Sequence, residues 1–280
     1  DGRNYIVYGN DEIWITELNE NLTAPKKDGL HRLLISDHRN PKLGYEGSHI
    51  YKIDGYYYIF LIHSMRDWWM RTEACFYSDS LEGEFTGADV LCDDRGYCGQ
   101  GVAQGGIVDT PDGKWYAVLF QDSGAVGRIP VLIPVTWTDH FPVFGQNGHV
   151  PEEIEVCSTR PDYTYQPLVG SDDFHNGLLP RWQFNHDPDP LYYCLDPLQG
   201  TYTITTREVC TELTQAVNTI TQRMSYPSCA AEVTVDASEL KEGDIAGLCA
   251  LQGCYAAVGI TKRQGKYEVL MLDKRDDGIL

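Results

Sequence analysis

A repeated pattern in the first half of the chain constrains the fold more than any other feature. An Asp-Gly pair followed by a run of aromatic and β-branched residues occurs at Asp1-Gly2, Asp54-Gly55 and Asp112-Gly113. Successive pairs lie 53 and 58 residues apart. Asp-Gly between apolar runs favours a two-residue hairpin turn, because both central residues of a type I′ turn take positive φ. Each copy therefore predicts a β-hairpin.

The spacing of the repeat predicts a β-propeller. Two further strand-like runs follow each hairpin, such as residues 74–77 and 131–135. About four short strands in a period of roughly 50–60 residues, with hardly any helical periodicity, are typical of a propeller blade. A plain β-sandwich is the alternative. The first copy begins at its turn, without the preceding strand, and the repeats supply only about three blades. We therefore expect one or two further blades upstream.

The second half of the chain has a different character. The repeat stops near residue 170, and residues 151–170 are rich in proline, acidic residues and tyrosine, which predicts a connector. Residues 200–205 and 229–235 alternate between apolar and polar side chains, as antiparallel strands with one buried face do. The predicted fold is thus all-β, with a partial propeller over 1–150 and a β-sandwich over 171–280. Residues 273–280 show no evident strand, which leaves open that the sandwich is incomplete.

Charge and cysteine content exclude several classes of protein. Asp and Glu total 41 against 22 Lys and Arg, and a net charge of −19 argues against nucleic acid or an anionic membrane as partner. No stretch approaches the ~18 apolar residues of a membrane-spanning helix. The nine cysteines are an odd number and include no CxxC pair, which disfavours a disulfide scaffold or structural zinc. Buried, reduced thiols are the simplest interpretation, and they weakly favour a cytoplasmic location.

Glu46 is the candidate catalytic residue. The motifs of zinc proteases, serine hydrolases and nucleotide-binding loops are missing from the sequence, which leaves acid–base chemistry by carboxyl groups. The innermost strand of a propeller blade lines the central channel, and Glu46 stands at the start of that strand. A carboxyl between Tyr45 and Gly47 is poorly solvated, which favours the neutral form that a general acid requires. A loop glutamate that faces water is the alternative.

Five further side chains are candidate ligands for a polar substrate. Gln104 holds the equivalent place in the next blade, where a neutral amide suits the orientation of a ligand or a water molecule. Arg128 precedes the third strand of that blade and either holds a polar ligand or caps strand ends. Trp68, Trp69 and Arg71 follow the preceding hairpin, so the two rings are expected near the same mouth. Tryptophan faces stack on sugars, although adjacent tryptophans are more often one buried and one exposed.

These residues resemble those of a known family. The segment YEGSHIYKIDGYYY (residues 45–58) is similar to the general-acid blade of glycoside hydrolase family 43, the five-bladed β-propeller β-xylosidases and α-L-arabinofuranosidases. Residues 104–120 and 127–137 resemble the next blade of the same enzymes. Residues 182–188, 219–223 and 244–248 resemble the concanavalin-like β-sandwich that follows the propeller in many members. The resemblance covers nearly the whole chain.

The resemblance implies roles for individual residues. Glu46 matches the catalytic acid that protonates the leaving glycosidic oxygen, and Arg128 matches an arginine that contacts the sugar before the scissile bond. Gln104 falls where many members carry a histidine, sometimes associated with a cation. The glutamine puts that cation in doubt, and a structural calcium ion stays open as the one cofactor. The family's general base and its pKa-tuning aspartate are expected in blades upstream of Asp1.

The resemblance implies an inverting exo-glycosidase that releases xylose or arabinose from plant hemicellulose. Xylo- or arabino-oligosaccharides are then the expected partners, and the oligomeric state stays unknown. A chain that holds the acid without the base cannot complete the reaction, which leaves open that these 280 residues alone are inert. The alternative is a non-catalytic carbohydrate-binding protein, in which the propeller and the sandwich hold polysaccharide without cleaving it.

Overall fold

The computed structural model describes residues 2–225 and 228–275. Within these two ranges the chain forms eighteen β-strands, two short 3₁₀ helices and no α-helix, so the predicted all-β class is confirmed. The chain divides into two compact units, Asp1–Thr159 and Arg160–Leu280. The predicted connector, 151–170, spans the division between them.

Three antiparallel sheets follow one another in the first unit, and each is a meander of strands in chain order. The two later sheets have the four strands predicted for each repeat, whereas the first has three. The first sheet contains β1 (Asn4–Asn10), β2 (Glu12–Leu18) and β3 (His31–Ser36). The second contains β4 (Glu46–Ile53), β5 (Tyr56–Ser64), β6 (Arg71–Ser78) and β7 (Thr86–Leu91). The third contains β8 (Ala103–Asp109), β9 (Trp115–Asp122), β10 (Arg128–Thr138) and β11 (Phe141–Phe144).

The predicted two-residue turn forms in one copy of the repeat but not in the next. Asp54 and Gly55 join β4 to β5 with φ values of 48° and 91°, as a type I′ turn requires. In the third copy, residues 110–114 form a five-residue loop, so the prediction of a tight turn is wrong there. Thr110 is the reason, because its hydroxyl accepts the Lys114 N–H at 3.1 Å and donates to the Asp112 carboxylate at 2.6 Å. Asp1 lies outside the described residues.

The second sheet is buried on both faces. Successive side chains of a strand point to opposite faces, so the side chains of β5 can pack in two hydrophobic cores, one on each face of the sheet. Tyr58 and Phe60 pack in a cluster with side chains of the third sheet, such as Ile133. Ile59 and Leu61 pack in another cluster, with β2 and β3 of the first sheet. The three sheets are therefore stacked in chain order, which is the arrangement that the repeat predicts.

The described part of the second unit forms three small antiparallel sheets. Its strands are β12 (Gln183–Phe184) paired with β15 (Ile220–Thr221), β13 (Tyr193–Asp196) paired with β14 (Thr201–Ile204), and the meander of β16 (Ile245–Leu251), β17 (Tyr255–Arg263) and β18 (Lys266–Lys274). The strand predicted within residues 200–205 is confirmed as β14.

One sequence prediction for this unit is wrong. Residues 229–235 form no strand and are mostly exposed. Alternation of apolar and polar side chains gives a stable strand only where a neighbouring strand supplies hydrogen bonds and packing. The last described strand, β18, ends at Lys274, and its Asp273 pairs with Ala256. Residues 276–280 lie outside the described residues.

The prediction of buried thiols is wrong for most cysteines. Cys75 is buried and Cys92 and Cys249 are half-buried, but the other six are exposed. Five of those six lie beyond residue 150, in a part of the chain whose described residues include no fully buried apolar side chain. In the described ranges, no helix is long and apolar enough to cross a bilayer.

Candidate active site

The candidate residues gather at one edge of the second and third sheets. In an antiparallel meander the first strand starts, the second ends and the third starts at the same edge. Glu46 starts β4 and Arg71 starts β6, and in the next sheet Asp122 ends β9 and Arg128 starts β10. Strand β4 also lies beside β8 of the third sheet. The repeat therefore places an arginine at the same position of two successive sheets.

Glu46 receives a hydrogen bond from the first sheet. The Asn10 side-chain amide, at the end of β1, donates to Oε2 of Glu46 at 2.7 Å, and Glu46 is half-buried. The Tyr45 ring packs instead against His63 and Phe76, with ring centroids 4.9 and 5.4 Å apart. Glu46 is thus hydrogen-bonded to a polar amide, and the Tyr45 ring packs in a different cluster.

A β-bulge follows the first residue of β4 and the first residue of β8. The register shifts directly after Glu46 and directly after Ala103, and the next residues, Gly47 and Gln104, have φ values of 65° and 70°. Gln104 is therefore the structural equivalent of Gly47. The sequence predicts that Gln104 is equivalent to Glu46, so that prediction is wrong by one residue. The Gln104 side chain also lies directly on Gly47, since a Cβ built at residue 47 would be 2.4 Å from Nε2 of Gln104. The two bulges bring the Gln104 amide next to the residue that follows Glu46.

Two arginines share a phenylalanine ring and a carboxylate at this edge. The guanidinium carbons of Arg71 and Arg128 lie 4.9 and 4.5 Å from the centre of the Phe120 ring. Arg71 Nη1 donates to Oδ2 of Asp122, and Arg128 Nε donates to Oδ1 of the same carboxylate at 3.3 Å. The Arg71 side chain is 4% exposed and the Arg128 side chain is 64% exposed. Burial lowers the pKa of Arg71, while the charge of Asp122 opposes that change.

A second carboxyl group, Glu73 on β6, is fully buried at this edge. Its Oε2 accepts the backbone N–H of Gln104 at 2.6 Å, and its Oε1 has no hydrogen-bond partner among the described residues. Burial raises the pKa of Glu73 well above the usual range, although the Gln104 N–H and the charge of Arg71 partly oppose that shift. Both Glu46 and Glu73 pair with Ile62 of β5, so the two residues lie on one line across the sheet.

Trp68 and Trp69 lie in the loop that joins β5 to β6, and both are exposed. Trp69 lies against Gly99, where an added Cβ would be 3.1 Å from the Trp69 ring. Arg71 donates its backbone N–H to the Gly99 carbonyl at 3.0 Å. The loop therefore emerges at the edge where Arg71 begins β6, and it presents two aromatic rings to solvent there.

The described residues contain no cluster of metal-ligating side chains. No group of three or more His, Cys, Asp or Glu side chains in residues 2–225 and 228–275 is arranged to hold a metal ion. Gln104 contributes a neutral amide, which packs on Gly47. No step of the chemistry below uses a metal ion, and the structural calcium stays a prediction.

Four side chains of this edge were not predicted from the sequence: Asn10, Glu73, Phe120 and Asp122. Asp122 could have been found, because it ends the strand before Arg128 and so lies directly opposite that residue. Glu73 could also have been found, as a lone acidic residue inside an apolar strand. Asn10 gives no such indication, because its contact with Glu46 joins two different sheets.

Known proteins share this architecture. Residues 1–142 match the model of the glycosyl hydrolases family 43, and residues 171–279 match that of the beta xylosidase C-terminal concanavalin A-like domain. The structure of a bifunctional GH43-CE protein from Bacteroides eggerthii is similar with a TM-score of 0.82 and 37% identity, over 99% of this chain and 36% of that one.

Two curated relatives have names that describe an activity. A beta-xylosidase of Formosa agariphila is 25% identical over an alignment of 264 residues that covers 78% of this chain and 44% of the relative, with gaps included in the alignment length. A non-reducing end alpha-L-arabinofuranosidase of Bacteroides ovatus is 28% identical over an alignment of 170 residues that covers 55% of this chain and 31% of the relative. This chain thus spans less than half the length of either relative.

Proposed function

This chain belongs to the glycosyl hydrolases family 43, and on that premise we propose that it acts in an inverting exo-glycosidase that releases xylose or arabinose from hemicellulose oligosaccharides. The names of the two curated relatives support these substrates. One observation carries the proposal, namely the Glu46 carboxyl, which Asn10 holds at the edge where Arg71 and Arg128 begin their strands. The three stacked sheets are, in this proposal, blades of a five-bladed propeller.

Glu46 is proposed as the general acid. A sugar alkoxide is a poor leaving group, so a positioned carboxyl must transfer a proton to the glycosidic oxygen as the bond breaks. In an inverting reaction a second carboxylate activates water on the opposite face, roughly 6.5–9.5 Å from the acid. We assign that base to none of the described residues.

The neighbouring side chains are proposed to hold the sugar. Arg128 is mostly exposed, and its guanidinium is fixed by the Phe120 ring and the Asp122 carboxylate, so it can donate hydrogen bonds to sugar hydroxyls. Gln104 offers an amide beside Glu46, and the exposed rings of Trp68 and Trp69 offer apolar faces. Arg71 is nearly buried, and we propose that it contributes by holding Asp122 in place.

The complete gene product is expected to release free xylose or arabinose from the non-reducing ends of oligosaccharides. Chromatography of the products identifies the sugar, and proton NMR of the first product shows whether the anomeric configuration is inverted. Binding of these oligosaccharides without any release of sugar would favour the non-catalytic alternative, which the family match does not favour. Release of internal fragments only would contradict an exo-acting enzyme.

Arg128→Ala is expected to lower kcat/KM by about 10–100-fold, because a hydrogen bond from a charged group to the substrate contributes about 1.5–3 kcal/mol to binding of the transition state. Steady-state kinetics on xylobiose and on an arabinoside measure this loss. Arg207→Ala is the matched control, because Arg207 is also an exposed arginine paired with an aspartate, Asp189 at 3.0 Å, but lies in the second unit. Equal losses in the two variants would show that Arg128 has no specific role.

A further inference from the structure

We propose that Glu73 is a positioning residue of the active site, whose buried carboxyl holds the backbone of Gln104 so that the Gln104 amide lies beside Glu46. The proposal rests on the function proposed above, because it assigns Glu73 to the site of that reaction. Glu73 is not proposed to touch the sugar. It acts through Gln104.

The β-bulge in β8 creates the need for such a residue. The ladder between β8 and β9 pairs Ala103 with Phe120 and then Gly106 with Val118, so the bulge removes Gln104 from the regular pairing. A buried backbone N–H without an acceptor is unfavourable, and the Glu73 carboxyl, from the neighbouring sheet, supplies the acceptor at 2.6 Å. The contact joins the second and third sheets at the edge that carries the candidate site.

Gln104 also has an unfavourable backbone conformation. Its φ of 70° lies in the left-handed region, which residues with a Cβ adopt only where their surroundings enforce it. The equivalent residue of β4 is a glycine, Gly47, which adopts the same region freely. The hydrogen bond to Glu73 is a specific contact that favours this conformation at Gln104.

The conformation of Gln104 determines where its side chain lies. Its Nε2, Cγ and Cδ atoms would be 2.4, 2.7 and 2.9 Å from a Cβ at residue 47, so the amide occupies the space that the glycine leaves. Gly47 follows Glu46 directly, and a change at Gln104 would therefore move a polar group next to the proposed acid. Displacements of about 1 Å near a reacting group can lower rates by as much as about 10²-fold.

The surroundings of Glu73 favour a neutral carboxyl. The group is fully buried, one of its oxygens has no hydrogen-bond partner among the described residues, and the positive charge of Arg71 offsets the effect of burial only in part. A buried charge without full pairing is strongly unfavourable. A glutamine at this position has nearly the same shape and retains a carbonyl oxygen that can accept the Gln104 N–H, so it should replace the glutamate.

Kinetics of Glu73→Gln and Glu73→Met in the complete gene product test the proposal. Glu73→Gln is expected to retain kcat/KM within about threefold, whereas Glu73→Met, which fills the space without an acceptor, should lose about 10–100-fold. In a Gln104→Ala background, which removes the side chain being positioned, Glu73→Met should cost no more than about a further twofold. The same loss in both backgrounds, or full activity of Glu73→Met, would overturn the proposal.

An NMR measurement separates this proposal from the proposed function. A nuclear Overhauser effect between the Gln104 side-chain amide and the Gly47 Hα protons should be present in the wild type and in Glu73→Gln and absent in Glu73→Met, whether or not the protein cleaves sugars. Its persistence in Glu73→Met would overturn the proposal. If Glu73→Met does not fold, Glu73→Asp, which withdraws the carboxyl by one methylene, should lose the same effect. Thr72→Val, at the adjacent buried polar residue, is the control that should retain it.

Discussion

Glu46→Ala is expected to lower kcat on natural xylo- or arabino-oligosaccharides by about 10²–10⁴, the usual contribution of positioned proton transfer. A natural leaving group departs as a sugar alkoxide and needs the proton. A dinitrophenyl glycoside has a leaving group acidic enough to depart without it, so the same variant should lose far less activity on that substrate. The measurement compares kcat for the two substrates in the complete gene product.

Controls separate proton transfer from general damage to the site. Glu84→Ala removes an exposed glutamate from the same unit and should change neither rate. The alkaline limb of the wild-type pH profile, which reports loss of the acid's proton, should flatten in Glu46→Ala. Equal losses on the natural and the activated substrate would leave Glu46 as a binding or structural residue.

The internal repeat explains how the site is built. Arg71 and Arg128 start the third strand of successive sheets, and each pairs with the last residue of the preceding strand. One is nearly buried and the other is mostly exposed, and Asp122 contacts both. Repetition thus supplied two arginines at one edge, and the stacking of the sheets gave them different environments. Gln104 and Gly47 likewise occupy equivalent positions, at the bulges of β8 and β4, and they contact each other.

The features that the sequence predicted correctly depend on short segments. Asp54-Gly55 forms its tight turn because both residues tolerate positive φ, and the alternating strands on either side define the hairpin register. The same local pattern places Glu46 at the start of β4. Where a local hydrogen bond competes, the pattern fails, as the Thr110 hydroxyl shows in the loop of the third copy.

The contacts that the sequence did not predict join residues on different sheets. Asn10 and Glu46 are 36 residues apart, and Glu73 and Gln104 are 31 apart. No turn or periodicity relates such pairs, because the stacking of sheets determines them. The bulges are equally difficult to predict from the sequence, since an extra residue in a strand leaves the alternation of apolar and polar side chains intact on each side. For residues 229–235 the alternation was present, but no strand in the described part of the chain pairs with them.

The second and third sheets, which carry Glu46 and Gln104, share a packed core that includes Phe60. Phe60 is fully buried, stacks on Phe144 with ring centroids 5.9 Å apart, and meets the Tyr51 ring edge-on at 5.8 Å. Phe60→Ala is expected to lower the free energy of unfolding by about 3–5 kcal/mol, because it removes this packing and leaves a cavity. Urea denaturation followed by tryptophan fluorescence measures the change, with Val118→Ala, an exposed side chain of β9, expected within about 0.5 kcal/mol of the wild type. A loss below about 1 kcal/mol for Phe60→Ala would mean that the two sheets do not share a tightly packed core.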